Sequence, residues 1–281
     1  MREAGASSKP YVVIGGTGKT GRRVVARLQR RGLQVRSGSR SGRPPFDWDN
    51  EATWEPILTH AEAVYITYYP DLGMPQAPEK IRAFAERAVR LGVNRLVLLS
   101  GRGEEGAMRS EQMLQQSGAA WTVLRANWFC QNFSENFLVD QVRAGVVALP
   151  VGGVKEPFVD ADDIADAAVA ALTDSSHIGQ VYELSGPSAI SFAEATAMIA
   201  NATGRNIDFV ELTIPQFQAA LEQQHSPPDV IAFLTKLFIT VLDGRNSEPR
   251  DGVFRALGRR PRTFAEYAAS AAQTGVWSTS P

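Results

Sequence analysis

The chain has 281 residues, long enough for one large or two fused domains, and 44% of them are hydrophobic against 21% charged. Lysine plus arginine (29) nearly balance aspartate plus glutamate (30), so the net charge of -1 gives no electrostatic reason to expect nucleic acid or a membrane surface as partner. No stretch approaches the roughly 20 apolar residues of a membrane span, the polar start 1–8 has no apolar run behind it, and the lone Cys130 rules out an internal disulfide, so a cytoplasmic protein is expected.

Strand and helix patterns alternate through the first half, as a parallel sheet covered on both faces requires. Tyr11, Val12, Val13 and Ile14 form a short apolar run ending in glycines, the pattern of a buried first strand. A helix is predicted over 21–31, with Val24, Val25 and Leu28 on one face, ended by Gly32 before a second strand at 33–37. Residues 43–50 are loop, 63–67 a third strand, and a helix begins near Pro78, since proline fits a first helical turn. A fourth strand at 95–100, a helix over 105–116 and a fifth strand at 121–125 follow.

The rhythm then changes. Residues 127–137 are rich in aromatics and amides, and 145–159 in glycine, proline and short apolar pieces. A helix over 160–172, a strand at 181–184 and further helices from Phe192 are expected, with one strand near 206–211. The domains are therefore placed at 1–126, a dinucleotide-binding domain, and 127–281, mainly substrate-binding, with segments near 127–185 returning to the sheet.

The turn after the first strand carries the chemistry. Gly15, Gly18 and Gly21 form G-x-x-G-x-x-G between a strand and a helix. The first glycine allows the tight turn, the second lets the backbone approach a pyrophosphate, and the third lets helix pack on strand. N–H groups at the helix start then bind the phosphate charge. Gly15, Thr17, Gly18, Lys19, Thr20 and Gly21 are the candidate residues. Gly18, Lys19 and Thr20 imitate the end of a nucleotide-triphosphate loop, but that motif needs glycine where Val13 stands.

Cofactor choice is read at the end of the second strand. An NAD site usually places an acidic residue there for the ribose 2′-hydroxyl. Residues 35–41 contain none and instead offer Arg36, Ser39 and Arg40, which suit a 2′-phosphate. NADP(H) is thus favoured over NAD(H), with Arg40 the better candidate.

Residues 14–21, 98–105, 123–133 and 157–164 together resemble the NmrA-like atypical short-chain dehydrogenases/reductases, as do 258–264 and 275–277. The nearest likeness is to the branch with bacterial relatives of the ergot-alkaloid reductases. The resemblance implies an α/β fold: a Rossmann-type parallel sheet with helices on both faces, plus a smaller, mostly helical substrate-binding domain. It also implies that the loop 127–133 lies beside nicotinamide and substrate, and that Glu104 and Glu105 lie near the cofactor.

Ordinary short-chain dehydrogenases use a tyrosine with a lysine four residues later as proton donor. None of the six tyrosines here has one. Ser100 stands where such enzymes keep a hydroxyl, and is either a cofactor contact or a strand-end cap. Iminium ions and quinones accept hydride without a strong acid, so a site that binds, orients and excludes water suffices for them. Tyr68, Tyr69, Asn127, Trp128, Phe129, Phe133 and Phe158 are the candidate pocket residues for a small aromatic or conjugated substrate. Their alternative role is packing between domains.

Asp160, Asp162 and Asp163 are expected to cap a helix rather than hold a metal. With three scattered histidines and one cysteine, no metal spacing is present. The leading expectation is an NADPH-dependent reductase, of the kind used in secondary metabolism. Two alternatives stand beside it: a non-catalytic NADP(H) sensor that binds a protein partner, and a non-redox isomerase or coupling enzyme.

Overall fold

The computed structural model describes residues 9–135 and 138–278. The polar start 1–8 and Phe137 of the aromatic-rich stretch lie outside the described residues. In chain order the first elements are β1 (Tyr11–Ile14), α1 (Lys19–Arg30), β2 (Val35–Gly38), α2 (Trp54–Leu58), β3 (Ala63–Ile66), α3 (Ala77–Arg90), β4 (Arg95–Gly101), α4 (Glu105–Gln115) and β5 (Ala120–Ala126). Then come α5 (Leu138–Ala144), β6 (Val146–Leu149), β7 (Lys155–Glu156), α6 (Ala161–Thr173), β8 (Gln180–Leu184), β9 (Ile190–Ser191) and α7 (Phe192–Thr203). The last are β10 (Asp208–Glu211), α8 (Ile214–Gln223), α9 (Pro228–Thr240), α10 (Gly252–Leu257) and α11 (Phe264–Gln273).

Two compact units result. The sheet unit holds the chain up to Ala126, Ala161–Leu184 and Asp251–Arg259. The second unit holds Asn127–Asp160, Ser185–Arg250 and the chain from Arg260 onward.

The sheet unit is built on six parallel strands in the order β2-β1-β3-β4-β5-β8. Every residue of β1 and β3 is buried, which is why these strands read as unbroken apolar runs rather than alternating ones. Chain order reverses at β1, whose neighbours are β2 on one side and β3 on the other. In such sheets the crevice at the carboxyl ends of the strands, at that reversal, is the ligand site. This is the Rossmann-type arrangement that the strand–helix alternation predicts.

Phe46, Trp48, Trp54 and Phe84 pack on one another, edge to face except for the tilted Trp48–Phe84 pair, with ring centroids 5.1 to 5.8 Å apart. The Trp54 indole N–H donates to the Asp47 carbonyl at 2.9 Å, and that of Trp48 to the Thr67 carbonyl at 3.2 Å. These two anchors hold an otherwise irregular connection and create α2, a helix with no sequence signal of its own.

The second unit has a core of Phe133, Phe158, Phe192, Phe264 and Trp277. The Trp277 indole N–H donates to the Phe133 carbonyl (2.8 Å), and the Tyr267 hydroxyl donates to Ser134 Oγ (2.8 Å). β6 pairs in parallel with β10, and β7 antiparallel with β9. Capping boxes start α7 at Ser191, α8 at Thr213 and α11 at Thr263. No helix among the described residues is long and apolar enough to cross a membrane.

Several boundaries differ from the pattern reading. α1 begins at Lys19, not at Gly21, because its first turn, Lys19 to Arg22, holds no apolar residue to signal a helix. β2 begins at Val35, the first residue with a partner on β1 (Tyr11). β6 escaped a pattern reading, since only two of its four residues are buried. α10, far along the chain, belongs to the sheet unit, where its Gly252 packs on the backbone of Glu183.

Candidate functional site

The turn between β1 and α1 is shaped by two glycines. Gly15 has φ +73°, a left-handed conformation that side chains resist, and Thr67 Oγ1 fills the space a β-carbon would take. Thr67 also donates to the Ile14 carbonyl at 3.0 Å, tying the end of β3 to the turn. Gly21 lies against the Gly15 carbonyl, so α1 approaches the turn more closely than any side chain allows. Thr17 and Gly18 are exposed at the start of α1, and Lys19 is half-buried. Thr20 is buried, and its hydroxyl accepts a bond from Tyr65 at 3.0 Å.

The residues after β2 divide in role. Arg36 donates to the carbonyls of Ile57 (2.7 Å) and Thr59 (2.8 Å) and so caps the end of α2. Arg40 is exposed, with its guanidinium carbon 5.8 Å from the centre of the Tyr69 ring. Arg36, Ser37, Ser39 and Arg43 line a groove of about 640 Å³ along the outer side of β2. Of the two arginines weighed for a 2′-phosphate, Arg36 is committed to the fold and Arg40 is presented at the surface.

Beyond β3 and β4 the structure brings together groups that sequence reasoning kept apart. Tyr68 is half-buried, its ring centroid 5.0 Å from that of Trp48, and burial followed by the nearby Asp49 charge pushes its hydroxyl pKa up. Tyr69 is 71% exposed. Ser100 is buried and donates to Glu111 Oε1 at 2.6 Å, so its hydroxyl serves a buried ion pair. Arg125 grips both oxygens of that carboxylate at 2.6 and 2.9 Å, and this bond holds the guanidinium above its usual pKa. Glu104, which the resemblance put near the cofactor, is largely buried beside Asp71, and burial together with that carboxylate pushes its acid up to about 8. Asp71 carries no motif, and only the pairing of β3 with β4 brings its loop beside that of Glu104.

In the second unit, Trp128 lies among Phe192 (6.1 Å) and Phe238 (5.8 Å), and its indole N–H is buried with no hydrogen-bond partner among the described residues. Phe129 is half-buried. Asn127 is buried and donates to Glu156 Oε2 (3.0 Å) and to the Asn246 carbonyl (3.2 Å). Phe133 and Phe158 are core residues here, 0% and 2% exposed, because the short 3₁₀ turn Cys130–Phe133 carries the loop inward.

Asp160 directly precedes α6, and Asp162 and Asp163 lie in its first turn, where their charge suits the helix start; each also makes a tertiary contact. Asp162 pairs with Arg27 (2.6 Å) and Arg23 (3.4 Å), which lie one turn apart on α1. Asp163, fully buried, pairs with Arg259 at 2.8 Å, and Asp160 accepts from Gln131 at 2.7 Å. The arginine pairs outweigh burial and hold the Asp162 carboxyl below its ordinary pKa. No metal-holding cluster occurs among the described residues.

No profile of a known protein family matches the chain. Its fold is shared with the NADPH-bound quinone oxidoreductase QOR2 of Escherichia coli (TM-score 0.79, 21% identity, 92% of this chain and 99% of that one). It is shared also with NmrA, a negative transcriptional regulator (TM-score 0.70, 15% identity, 95% and 97%). In sequence the chain is 31% identical to the uncharacterized oxidoreductase YesF of Bacillus subtilis, over 95% of this chain and 98% of that protein. The chain belongs to the NmrA-like atypical short-chain dehydrogenases/reductases.

Several of its curated relatives carry oxidoreductase names, and the chain is placed with them among NAD(P)H-dependent oxidoreductases. Among its relatives are agroclavine dehydrogenase of Claviceps fusiformis (30% identity, 95% of this chain and 98% of that one) and the NAD(P)H azoreductase of Xenophilus azovorans (28%, 92% and 96%).

Proposed function

We propose that this NmrA-like protein is an NADPH-dependent reductase that transfers hydride to a small, flat, conjugated acceptor. The acceptor would be an imine or iminium, a quinone or an activated double bond. The observation that carries this reading is the cradle at Gly15 and Gly21, which no β-carbon could occupy, followed at the end of β2 by an exposed Arg40 and no acid.

The residues fit the dinucleotide. Backbone groups of Gly15, Thr17, Gly18, Lys19, Thr20 and Gly21 would hold the pyrophosphate at the start of α1. Arg40, with Ser39 beside it, would hold the 2′-phosphate. When bound, the reduced nicotinamide supplies a hydride equivalent. The chain's own part is to bind, to orient and to exclude water.

For the acceptor, each unit carries suitable surfaces. Tyr68 and Tyr69 supply aromatic faces in the sheet unit. Trp128 supplies, in the second unit, an apolar face with one unpartnered donor, a combination suited to a planar molecule with a single acceptor atom. The QOR2 and azoreductase relatives act on such molecules by their names, which supports the substrate class. NADPH oxidation by the purified protein, measured with a quinone, an azo dye and a cationic triphenylmethane dye, tests the reading. Oxidation that depends on at least one acceptor is expected. Tight NADPH binding with no oxidation by any acceptor would point instead to a dinucleotide sensor.

A further inference from the structure

A reductase of this kind needs a proton for any acceptor that becomes a basic anion on taking hydride, and the familiar tyrosine–lysine pair is missing from the sequence. The sheet unit offers few substitutes among its described residues. Ser100 is bound to Glu111, and Tyr65 is fully buried, with its hydroxyl given to Thr20.

One pair of groups is placed differently. β3 and β4 are adjacent and in register, Ile66 opposite Leu98, so the loops that follow them leave the same edge of the sheet. The first loop carries Tyr68, Tyr69 and Asp71, and the second carries Glu104. The Glu104 carboxyl is held between two glycines. One oxygen abuts Gly101, and a β-carbon on Gly73 would lie 2.8 Å from Glu104 Oε2 and 3.0 Å from Asp71 Oδ1. Gly106 packs on the Gly73 carbonyl and closes the floor of this slot. Asp71 Oδ1 accepts the Gly73 N–H at 2.7 Å, and oxygens of both carboxyl groups converge on Gly73.

Two carboxyl groups that share one small slot do not both ionise readily, so one keeps its proton. Glu104 is the one whose acid is pushed up, by burial and by the neighbouring carboxylate, so the proton is assigned to it. Asp71 is the charged group that acts on Glu104 there, and the α4 neighbour Ser110 makes a neutral contact with the Leu72 carbonyl.

We propose that Glu104, held by Asp71, is the proton donor that completes reduction of neutral acceptors at this site. The inference rests on the reductase reading above. The acceptor's π bond breaks as its electrophilic atom takes hydride from NADPH, and the electron pair collects on the conjugate nitrogen, oxygen or carbon. The Glu104 O–H bond then breaks and its proton joins that atom. NADP⁺ is formed, and Glu104, left as a carboxylate, regains a proton from water. A cationic acceptor, neutralised by hydride alone, does not use the step. The site is thereby suited to azo compounds and activated double bonds, beyond the acceptors that need no acid.

The test compares the full-length protein with its Glu104→Gln and Asp71→Asn variants. Infrared spectroscopy at neutral pH should show a carboxylic-acid carbonyl band in the wild type that Glu104→Gln lacks; the same band in both proteins would overturn the proposal. With NADPH, the rate ratio of a neutral azo dye to a cationic triphenylmethane dye should fall about 100-fold in Glu104→Gln. Asp71→Asn, which removes the neighbouring charge, should move the falling limb of the azo rate to lower pH. An unchanged rate ratio overturns the proposal, because a merely structural Glu104 would affect both dyes alike. If the wild type oxidises NADPH with neither dye, the reductase reading itself falls and takes this role with it. The infrared band then still reports whether the acid is there.

Discussion

The α-carbon of Gly21 lies against the carbonyl oxygen of Gly15 with no space for a β-carbon. A Gly21→Ala variant must therefore push α1 off the turn. Overpacking of this kind costs about 1–3 kcal/mol, to be read as a lower urea midpoint with an unchanged slope. NADPH affinity should fall at least about tenfold, since the displaced N–H groups are those that meet the pyrophosphate. Retained affinity in a destabilised protein would remove the turn from the cofactor site.

Arg36 and Arg40 should behave oppositely on truncation. Arg36→Ala loses two bonds to the end of α2 and should lower stability by about 1–2 kcal/mol, with NADPH affinity kept within about threefold. Chemical denaturation and a fluorescence titration on one preparation measure both effects.

Glu111 is 1% exposed, and its charge is answered by Arg125. Arg125→Met strands that carboxylate and should cost about 3–5 kcal/mol by urea unfolding. Ser100→Ala removes one bond to the same oxygen and should cost about 1 kcal/mol while leaving NADPH affinity unchanged. A large loss of affinity in Ser100→Ala would restore the serine as a cofactor contact.

The raised Glu104 acid has a consequence for stability as well as for chemistry. Its folded pKa of about 8 lies above the unfolded value of about 4.3. The protonated form is the one the fold accommodates, so its contribution is fully present below about pH 4.3 and is lost as pH rises through about 8. Stability should fall between pH 5.5 and 8.5, as set by the same two pKa values. Glu104→Gln should flatten that fall, which urea midpoints at the two pH values will measure. An equal fall in both proteins would show that Glu104 does not titrate in this window.

Much of the sheet unit is legible in the sequence, because buried parallel strands appear as apolar runs and glycines mark the turn at 15–21. The dual fate of the arginines is not. Arg36 faces α2, which exists because Trp48 and Trp54 anchor an irregular stretch, and neither anchoring bond leaves a periodic trace. Phe133 and Phe158 read as pocket aromatics from their loop positions, yet they form core, since burial depends on where the loop turns. The Asp71–Glu104 pair depends on the register of β3 against β4, which no local pattern encodes.

Arg40, exposed after β2, is the residue through which the cradle would choose NADPH. Titrating the wild type and Arg40→Ala with NADPH, NADP⁺, NADH and NAD⁺ by tryptophan fluorescence tests it most directly. Tight NADPH binding and weak NADH binding are expected in the wild type, with the NADPH preference lost in Arg40→Ala by about 10-fold or more. Equal affinity for NADPH and NADH in the wild type, or a preference untouched by the substitution, would contradict it.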